Sequence, residues 1–199
     1  MVLTRRKMSA QALSISVLAL TVAVPSANAQ PSNTTIPGDG VYLVGTDIQP
    51  GTYVSDSPGY CSWYRLSSIS GESNNIIDSD NSASGKQYVT IKPTDVAFKT
   101  LSCSTWRLVS SQSTQSSAAQ STTIPGDGVY LVGTDIQPGT YVSNSPGYCS
   151  WYRLSSISGE SNNIIDSDNS ASGKQYVTIK PTDVAFKTLS CSTWSLVSR

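Results

Sequence analysis

The sequence predicts an all-β protein built from two small antiparallel β-sandwich or barrel domains in tandem, each closed by one disulfide. Three observations predict this fold class. A 77-residue unit occurs twice, at 34–110 and 122–198. Within it, turn-forming residues recur every eight to twelve positions or so, and the runs between them are rich in Val, Ile, Tyr, Thr and Trp, as in short strands. Each unit also contains one pair of cysteines.

The strands are predicted from the runs between turn signals. In the first copy these are VYLVG (41–45), TYVS (52–55), YCSWYRLSS (60–68), IID (76–78), KQYVTIK (86–92), DVAFKTL (95–101) and STWRLV (104–109). KQYVTIK alternates, with Gln87, Val89 and Ile91 on one face and Tyr88 on the other.

Polar stretches separate these runs. DSPG (56–59), SGESNN (70–75) and SDNSASG (79–85) are predicted to be turns or loops. The alternative of one helical turn within PTDVAFKT stays open, because Asp95 is able to cap it.

The cysteines are predicted to pair within each copy, Cys61 with Cys103 and Cys149 with Cys191. Each bridge encloses about 42 residues and adds on the order of 4 kcal/mol in the chain-entropy account. Pairing between the copies is open by count, but a flexible linker favours the local pairs. A zinc site is disfavoured, because the chain has no CxxC and no histidine.

The two copies differ at only two positions, Asp56/Asn144 and Arg107/Ser195. Between them lies SQSTQSSAAQS (111–121), which has no aromatic, charged or branched aliphatic residue and is predicted to be a flexible linker. We therefore predict two separate domains; one intertwined domain is the alternative.

Residues 1–29 are predicted to be a secretory signal peptide, and residues 30–33 a polar leader. A basic start, an apolar run and the ANA at 27–29 indicate export. Its removal leaves 10 basic and 13 acidic residues, a pattern that disfavours a nucleic-acid partner. No other apolar stretch is long enough to predict a transmembrane span, so we expect a secreted or loosely wall-associated protein.

Aromatic residues are the candidate binding groups. Trp63 shares a strand face with Cys61 and Arg65; we expect it to pack on the disulfide, with an exposed sugar platform as the alternative. Each unit has five tyrosines, more than a small core is expected to hide, and Tyr suits recognition surfaces. Ordinary β-propensity on a solvated face is the competing explanation. The candidate binding residues are Tyr60, Tyr64, Arg65, Tyr88, Tyr148, Tyr152, Arg153 and Tyr176.

Catalysis and cofactors are not predicted. Without histidine there is no Ser–His or Cys–His pair, and Glu72 with Asp78 is a weak carboxylate couple in so small a unit. The stretch 78–86 departs from an EF-hand, since position 12 would be Val89. A looser calcium site at Asp78, Asp80 and Asn81 is the alternative to a polar loop.

The motifs GDGVYLVGTDIQPGTYVS, CSWYRLSS and DVAFKTLSCSTW resemble a small domain of secreted proteins and lipoproteins of actinobacteria. The resemblance covers essentially all of each unit. It implies a disulfide-bearing extracellular β-domain and no established activity. The lipidation cysteine of some relatives is absent here.

These observations favour a non-enzymatic binding module of the cell surface or medium, bivalent through its repeats, with an envelope glycan or protein as ligand. Two alternatives stay open: an inhibitor of an extracellular protease or glycosidase, and a structural envelope protein. No cofactor is expected.

Overall fold

A computed structural model describes residues 33–109, 121–158 and 161–198 of the chain. The predicted signal peptide and nearly all of the predicted linker lie outside the described residues. The strands of the first copy are β1 (Thr35–Ile36), β2 (Gly40–Leu43), β3 (Gly51–Leu66), β4 (Ile76–Ile91), β5 (Ala97–Leu101) and β6 (Trp106–Leu108). Those of the second are β7 (Thr123–Ile124), β8 (Gly128–Leu131), β9 (Gly139–Leu154), β10 (Ile164–Ile179), β11 (Ala185–Leu189) and β12 (Trp194–Ser198).

Each copy is organised around one long antiparallel hairpin, β3–β4 or β9–β10. In the first copy the early half of β3 also pairs with β6, which in turn pairs with β1. The late half pairs with β5, which pairs with β2. The two halves of the hairpin thus pair with different short strands, and residues from both halves contribute to one core. The predicted all-β class with two tandem disulfide-bonded domains is confirmed.

The core of the first copy joins residues from both sheets. Tyr53 and Trp106 come from one side, and Cys61, Trp63 and Phe98 come from the other. Phe98 lies edge-on to Trp106, with ring centroids 5.5 Å apart. The second copy repeats this core with its own residues, including the edge-on pair of Phe186 and Trp194. Each copy therefore has its own hydrophobic centre.

The predicted disulfides are confirmed. Cys61 bonds Cys103 and Cys149 bonds Cys191, each across 42 positions and with Cα atoms 4.5 Å apart. Cys61 and Cys149 lie in the long strands β3 and β9 and are fully buried. Each bridge ties its long strand to the segment that follows β5 or β11.

Two predicted breaks are wrong, because β3 and β4 run unbroken through 56–59 and 79–85. The register moves from Ser57 opposite Gly85 to Cys61 opposite Ala83, so a bulge at 58–60 absorbs the Pro-Gly pair. Ser57 is buried but accepts a hydrogen bond from the Ser104 N–H at 2.9 Å. Local turn propensity is thus overridden by pairing along the hairpin.

The alternative of a helical turn at PTDVAFKT is also wrong. Asp95 accepts a hydrogen bond from the Lys92 N–H at 2.9 Å and closes a tight turn, after which Ala97 begins β5. Among the described residues, no helix has the length and apolar character that crossing a membrane requires.

The only two differences between the copies lie in contact with each other. Asp56 and Arg107 approach to 3.8 Å, and both side chains are exposed. At the same place the second copy has Asn144 and Ser195, which lack the charges. An exposed pair of this kind contributes little to stability, so the exchange leaves the fold unchanged.

The two copies also contact each other, which the sequence did not predict. Lys86 of β4 bridges Gly128 of β8 in parallel, joining both copies into one continuous sheet. They are two domains with separate cores, as expected, but they are docked rather than apart.

Candidate functional site

The interface between the copies is held by ion pairs at both of its sides. Lys86 Nζ lies 2.5 Å from Asp135 Oδ1, and Tyr88 donates to Asp135 Oδ2 at 3.0 Å. Lys187 of the second copy pairs with Asp80 of the first at 2.7 Å. The first copy therefore supplies the lysine of one pair and the aspartate of the other. This arrangement fixes the relative orientation of the copies.

The interface also contains an apolar cluster with residues from both copies. Tyr88, Val129 and Ala185 are buried there, with Leu154 and Ile157 packed against them. Gly85 has a positive φ of 72°, and a Cβ at this position would overlap the Asp127 carbonyl. Glycine is thus required for the close approach of the two backbones.

Burial at the interface changes the ionisation of two groups. Desolvation, followed by the charge of Asp135, raises the pKa of the Tyr88 hydroxyl well above its ordinary range. Desolvation also raises the pKa of Asp78, although Arg65 opposes it. Tyr88 therefore stays protonated and donates to Asp135 throughout the physiological pH range.

Docking brings two exposed tyrosines to one groove. Tyr60 and Tyr148 are 81% and 82% exposed. They line an opening of about 470 Å³ that we call the tyrosine groove. Its other lining residues are Pro58, Gly59 and Ser84 of the first copy and Asp127, Ser150, Leu189 and Ser190 of the second. Hydroxyl and carboxylate groups thus lie beside two aromatic rings.

A second opening, of about 270 Å³, lies between the copies and is lined by Trp63, Tyr88, Tyr152 and Lys187 among others. We call it the inter-repeat cleft. The buried indole Nε1 of Trp63 has no hydrogen-bond partner among the described residues. Trp151 has the same unpaired Nε1 in the second copy, outside the lining of this cleft. The unpaired group belongs to the fold of each repeat and does not indicate a ligand in the cleft.

The two candidate arginines are not on a surface. Arg65 is buried and donates twice to Asp95, from Nε at 2.7 Å and from Nη2 at 3.0 Å. Arg153 makes the same bidentate contact with Asp183. Arg65 shares a strand face with Cys61 and Trp63, and this face is the core. Arg65 also donates from Nη1 to the Ser158 carbonyl of the second copy at 3.1 Å, so it belongs to the interface as well as to its own repeat. Neither guanidinium group is open to an external ligand, so their assignment as binding residues is corrected.

The remaining candidate tyrosines have different environments. Tyr88 is buried in the interface, whereas its counterpart Tyr176 is exposed. Tyr152 lines the inter-repeat cleft, and Lys99 lies 5.5 Å from the ring centroid of Tyr64. The structure therefore brings Tyr60 together with Tyr148 and Tyr88 with Tyr152, and it leaves Tyr64 and Tyr176 apart. Tyr88 is largely covered by the second copy and reaches solvent only at the inter-repeat cleft.

The carboxylates considered for calcium have protein partners. Asp78 lies 3.8 Å from Arg65, and Asp80 pairs with Lys187. Within the part of the chain that the structure describes, no group of three or more His, Cys, Asp or Glu side chains is arranged to hold a metal ion.

The interface contribution of Asp135 can be isolated, because Asp47 is its counterpart. Each accepts a local hydrogen bond at 2.8 Å, from Leu131 N–H or Leu43 N–H, but only Asp135 also contacts the other copy. We expect Asp135→Ala to cost about 2 kcal/mol more unfolding free energy than Asp47→Ala. The scattering radius of gyration should rise only for Asp135→Ala; equal effects of both changes would contradict the interface.

The interface could not be inferred from the sequence, because the residues that form it have the same identity in both copies. The alternation of KQYVTIK placed Tyr88 on an outward face, which is correct for the isolated repeat. No local feature of the sequence shows in which copy the face with this tyrosine is covered. The available signal was a large aromatic residue beside a lysine on an outward strand face.

Comparison with known proteins places both repeats in one group. The family described as "Rv1352-like extracellular domain" matches residues 34–107 and again residues 122–195. An uncharacterized protein of Mycobacterium tuberculosis, Rv1352, and one of Mycobacterium bovis, Mb1387, are each 37% identical to the chain over 110 residues. These alignments cover 48% of this chain and 87% of the relative. No solved structure matches the chain. The matches agree with the predicted resemblance in compartment and in the repeated layout.

Proposed function

We propose, from the premise that the chain belongs to the family of Rv1352-like extracellular domains, that it is a non-enzymatic extracellular binding module whose tyrosine groove takes a sugar residue of an envelope glycan. The single observation that carries this is the meeting of two highly exposed tyrosines, one from each copy, in one polar groove.

The exposure of Tyr60 and Tyr148 is the first support. Both tyrosines stand on the bulge that interrupts the register of a long strand, where the backbone is re-aimed away from the sheet. A ring so exposed contributes little to folding and offers a flat apolar face with a polar tip. Sugar rings combine apolar C–H faces with hydroxyl groups, and this surface suits both.

The groove's polar groups are the second support. Ser84 Oγ donates to Asp127 Oδ2 at 2.9 Å, so the two copies share a hydrogen bond at the groove. Ser150 Oγ donates to the Asn169 carbonyl at 3.1 Å. Hydroxyl oxygens keep further acceptor capacity after donating, which suits hydrogen bonding to sugar hydroxyls.

The absence of a catalytic set is the third support. The chain has no histidine, and each of the four cysteines is in a disulfide. A nucleophile paired with an imidazole base is therefore missing. No cofactor is needed for binding of this kind.

The docked arrangement changes the predicted form of bivalency. The sequence predicted that two tethered domains would each bind separately. In our proposal the copies build one composite groove, and multivalency on a repetitive glycan needs further copies of the chain.

The test is binding of the full chain to immobilised pentose, hexose and N-acetylhexosamine oligosaccharides, followed by titration against those retained. We expect Tyr60→Ala and Tyr148→Ala each to weaken binding about tenfold or more, as for aromatic residues at the centre of an interface. Both substitutions are on exposed side chains and should leave the unfolding free energy within about 0.5 kcal/mol.

Tyr176→Ala is the matched control, because Tyr176 is exposed but lies outside the groove. Its affinity should equal that of the unsubstituted chain. Lack of retention on every oligosaccharide would overturn the proposal, and so would binding that survives the double Tyr60→Ala, Tyr148→Ala change.

A further inference from the structure

The internal interface joins two different surfaces. The first copy contributes Asp80, Ser84, Lys86 and Tyr88, which we call the β4 face. The second copy contributes the β8 face, made of Asp127, Val129, Asp135 and Lys187. Because the surfaces differ, the contact is heterologous, and each copy uses only one of the two surfaces it has.

The other surface of each copy is therefore left over. In the second copy this is the β10 face: Asp168, Ser172, Lys174 and Tyr176. In the first copy it is the β2 face: Asp39, Val41, Asp47 and Lys99. These eight residues are identical in type to those of the β4 and β8 faces.

Exposure shows that the leftover surfaces are open among the described residues. Tyr88 is 8% exposed in the interface, but Tyr176 is 57% exposed. Val129 is 6% exposed in the interface, whereas Val41 is 51% exposed. Ile69 is likewise exposed where its counterpart Ile157 packs in the interface cluster. Large apolar groups that are buried in the internal interface are thus exposed to solvent on the leftover surface of each copy.

The strand edges agree with the side chains. Within the described residues β10 pairs only with β9, and β2 pairs only with β5, so each has one open edge. Their counterparts β4 and β8 are the strands that meet inside the chain. Gly173 has no atom within 4 Å of an added Cβ, whereas Gly85 is covered by Asp127. Open edges of this kind are templates for pairing with another strand.

We propose that the chain self-associates head to tail, with the β10 face of one molecule seated on the β2 face of the next. The contacts are those already made internally: Lys174 with Asp47, Tyr176 with Asp47 and Val41, and Lys99 with Asp168. Such an interface closes into a ring or continues as a filament, according to the rotation between neighbours. The array would carry one tyrosine groove at every junction and would also meet the needs of a structural envelope protein.

The two sequence differences do not oppose this junction. Asp56 lies opposite Lys86 in the hairpin, near an interface that already holds Asp127 and Asp135. At the β10 face the corresponding residue is Asn144, opposite Lys174. Ser195 likewise replaces Arg107, the exposed partner of Asp56, so one acid and one base are lost together and the net charge beside the junction equals that at the internal interface.

The test is sedimentation of the full mature chain over a concentration series. The internal contact forms at the millimolar effective concentration of a short tether, so the series should extend to ~1 mM. We expect the weight-average mass to rise at least twofold with concentration. Val41→Glu, which removes the β2 face, and Lys174→Glu, which reverses the charge of the β10 face, should each stay monomeric.

Mixing the two variants gives the sharper result. The Val41→Glu chain keeps an intact β10 face, and the Lys174→Glu chain keeps an intact β2 face. An equimolar mixture should therefore form a dimer with one junction and nothing larger. Val96→Glu is the control, because Val96 and its counterpart Val184 are exposed in both copies; it should associate like the unsubstituted chain.

A chain that remains monomeric at ~1 mM overturns the proposal. So does association that persists in both single variants, or a mixture that stays monomeric. Oligosaccharide binding to a single molecule needs only the internal groove, so this outcome is separate from that of the proposed function.

Discussion

Replacing both Cys61 and Cys103 with alanine is expected to lower the free energy of unfolding of the first repeat by about 4 kcal/mol. The bridge closes a loop of 42 positions, and the loss of that restraint enlarges the unfolded ensemble. A unit of this size buries a modest fraction of its surface, so this loss is a large part of its total stability. The midpoint of its thermal transition should fall by about 20 °C.

Calorimetry of the full chain, with and without reductant, measures this effect. Cys149→Ala with Cys191→Ala is the matched change in the second repeat, whose bridge also spans 42 positions. Each double variant should separate one transition from the other, and reductant should lower both in the unsubstituted chain. Melting that is insensitive to reductant, or unreduced peptides that link one copy to the other, would contradict this account.

The disulfides and the all-β class were predictable because they depend on the number of cysteines per unit and on the two-residue period of the strands. Two cysteines per unit in an exported chain leave one local pairing, and the alternation of Gln87, Val89 and Ile91 places their face in the core, where all three are buried. These signals are local and need no knowledge of distant partners.

The continuous hairpin was not predictable, because it depends on contacts far along the chain. DSPG has strong turn propensity on its own. The strand continues through it because Ser55 and Ser57 find partners near Ser104, 47 to 49 positions away. The partner of Arg65, Asp95, is likewise distant, at 30 positions along the chain.

The tyrosine groove could be predicted only in part. Composition pointed to tyrosines as recognition residues, but the six candidate tyrosines, three in each copy, were equivalent by sequence. Docking decides between them: it covers Tyr88, leaves Tyr176 open and brings Tyr60 to Tyr148. Since both copies have the same sequence over these residues, no pattern within one repeat contains this asymmetry.

The last prediction concerns the buried ion pair of each repeat. Asp183→Asn should lower the free energy of unfolding by about 3 to 5 kcal/mol, because it removes the buried, bidentate carboxylate partner of the Arg153 guanidinium. Urea denaturation at neutral pH measures this. Asp166→Asn is the control: Asp166 lies 3.5 Å from the same guanidinium but is about half exposed, so its loss should cost less than about 1 kcal/mol.

Two further measurements separate the ion pair from simple packing. Arg153→Met combined with Asp183→Leu should recover most of the lost stability, because an apolar pair of similar volume leaves no unpaired charge.

The second measurement is the pH dependence of stability. Burial acts to raise the pKa of Asp183, but the hydrogen bonds that it accepts from Arg153 and from the Lys180 N–H lower it by more. The net pKa of Asp183 therefore lies below its ordinary range. The contribution is therefore complete above the unfolded pKa of about 3.9 and is lost as the pH falls through the folded value. Asp183→Asn should remove that part of the acid dependence, and an Asn variant as stable as the unsubstituted chain would show that the guanidinium is not held by this carboxylate.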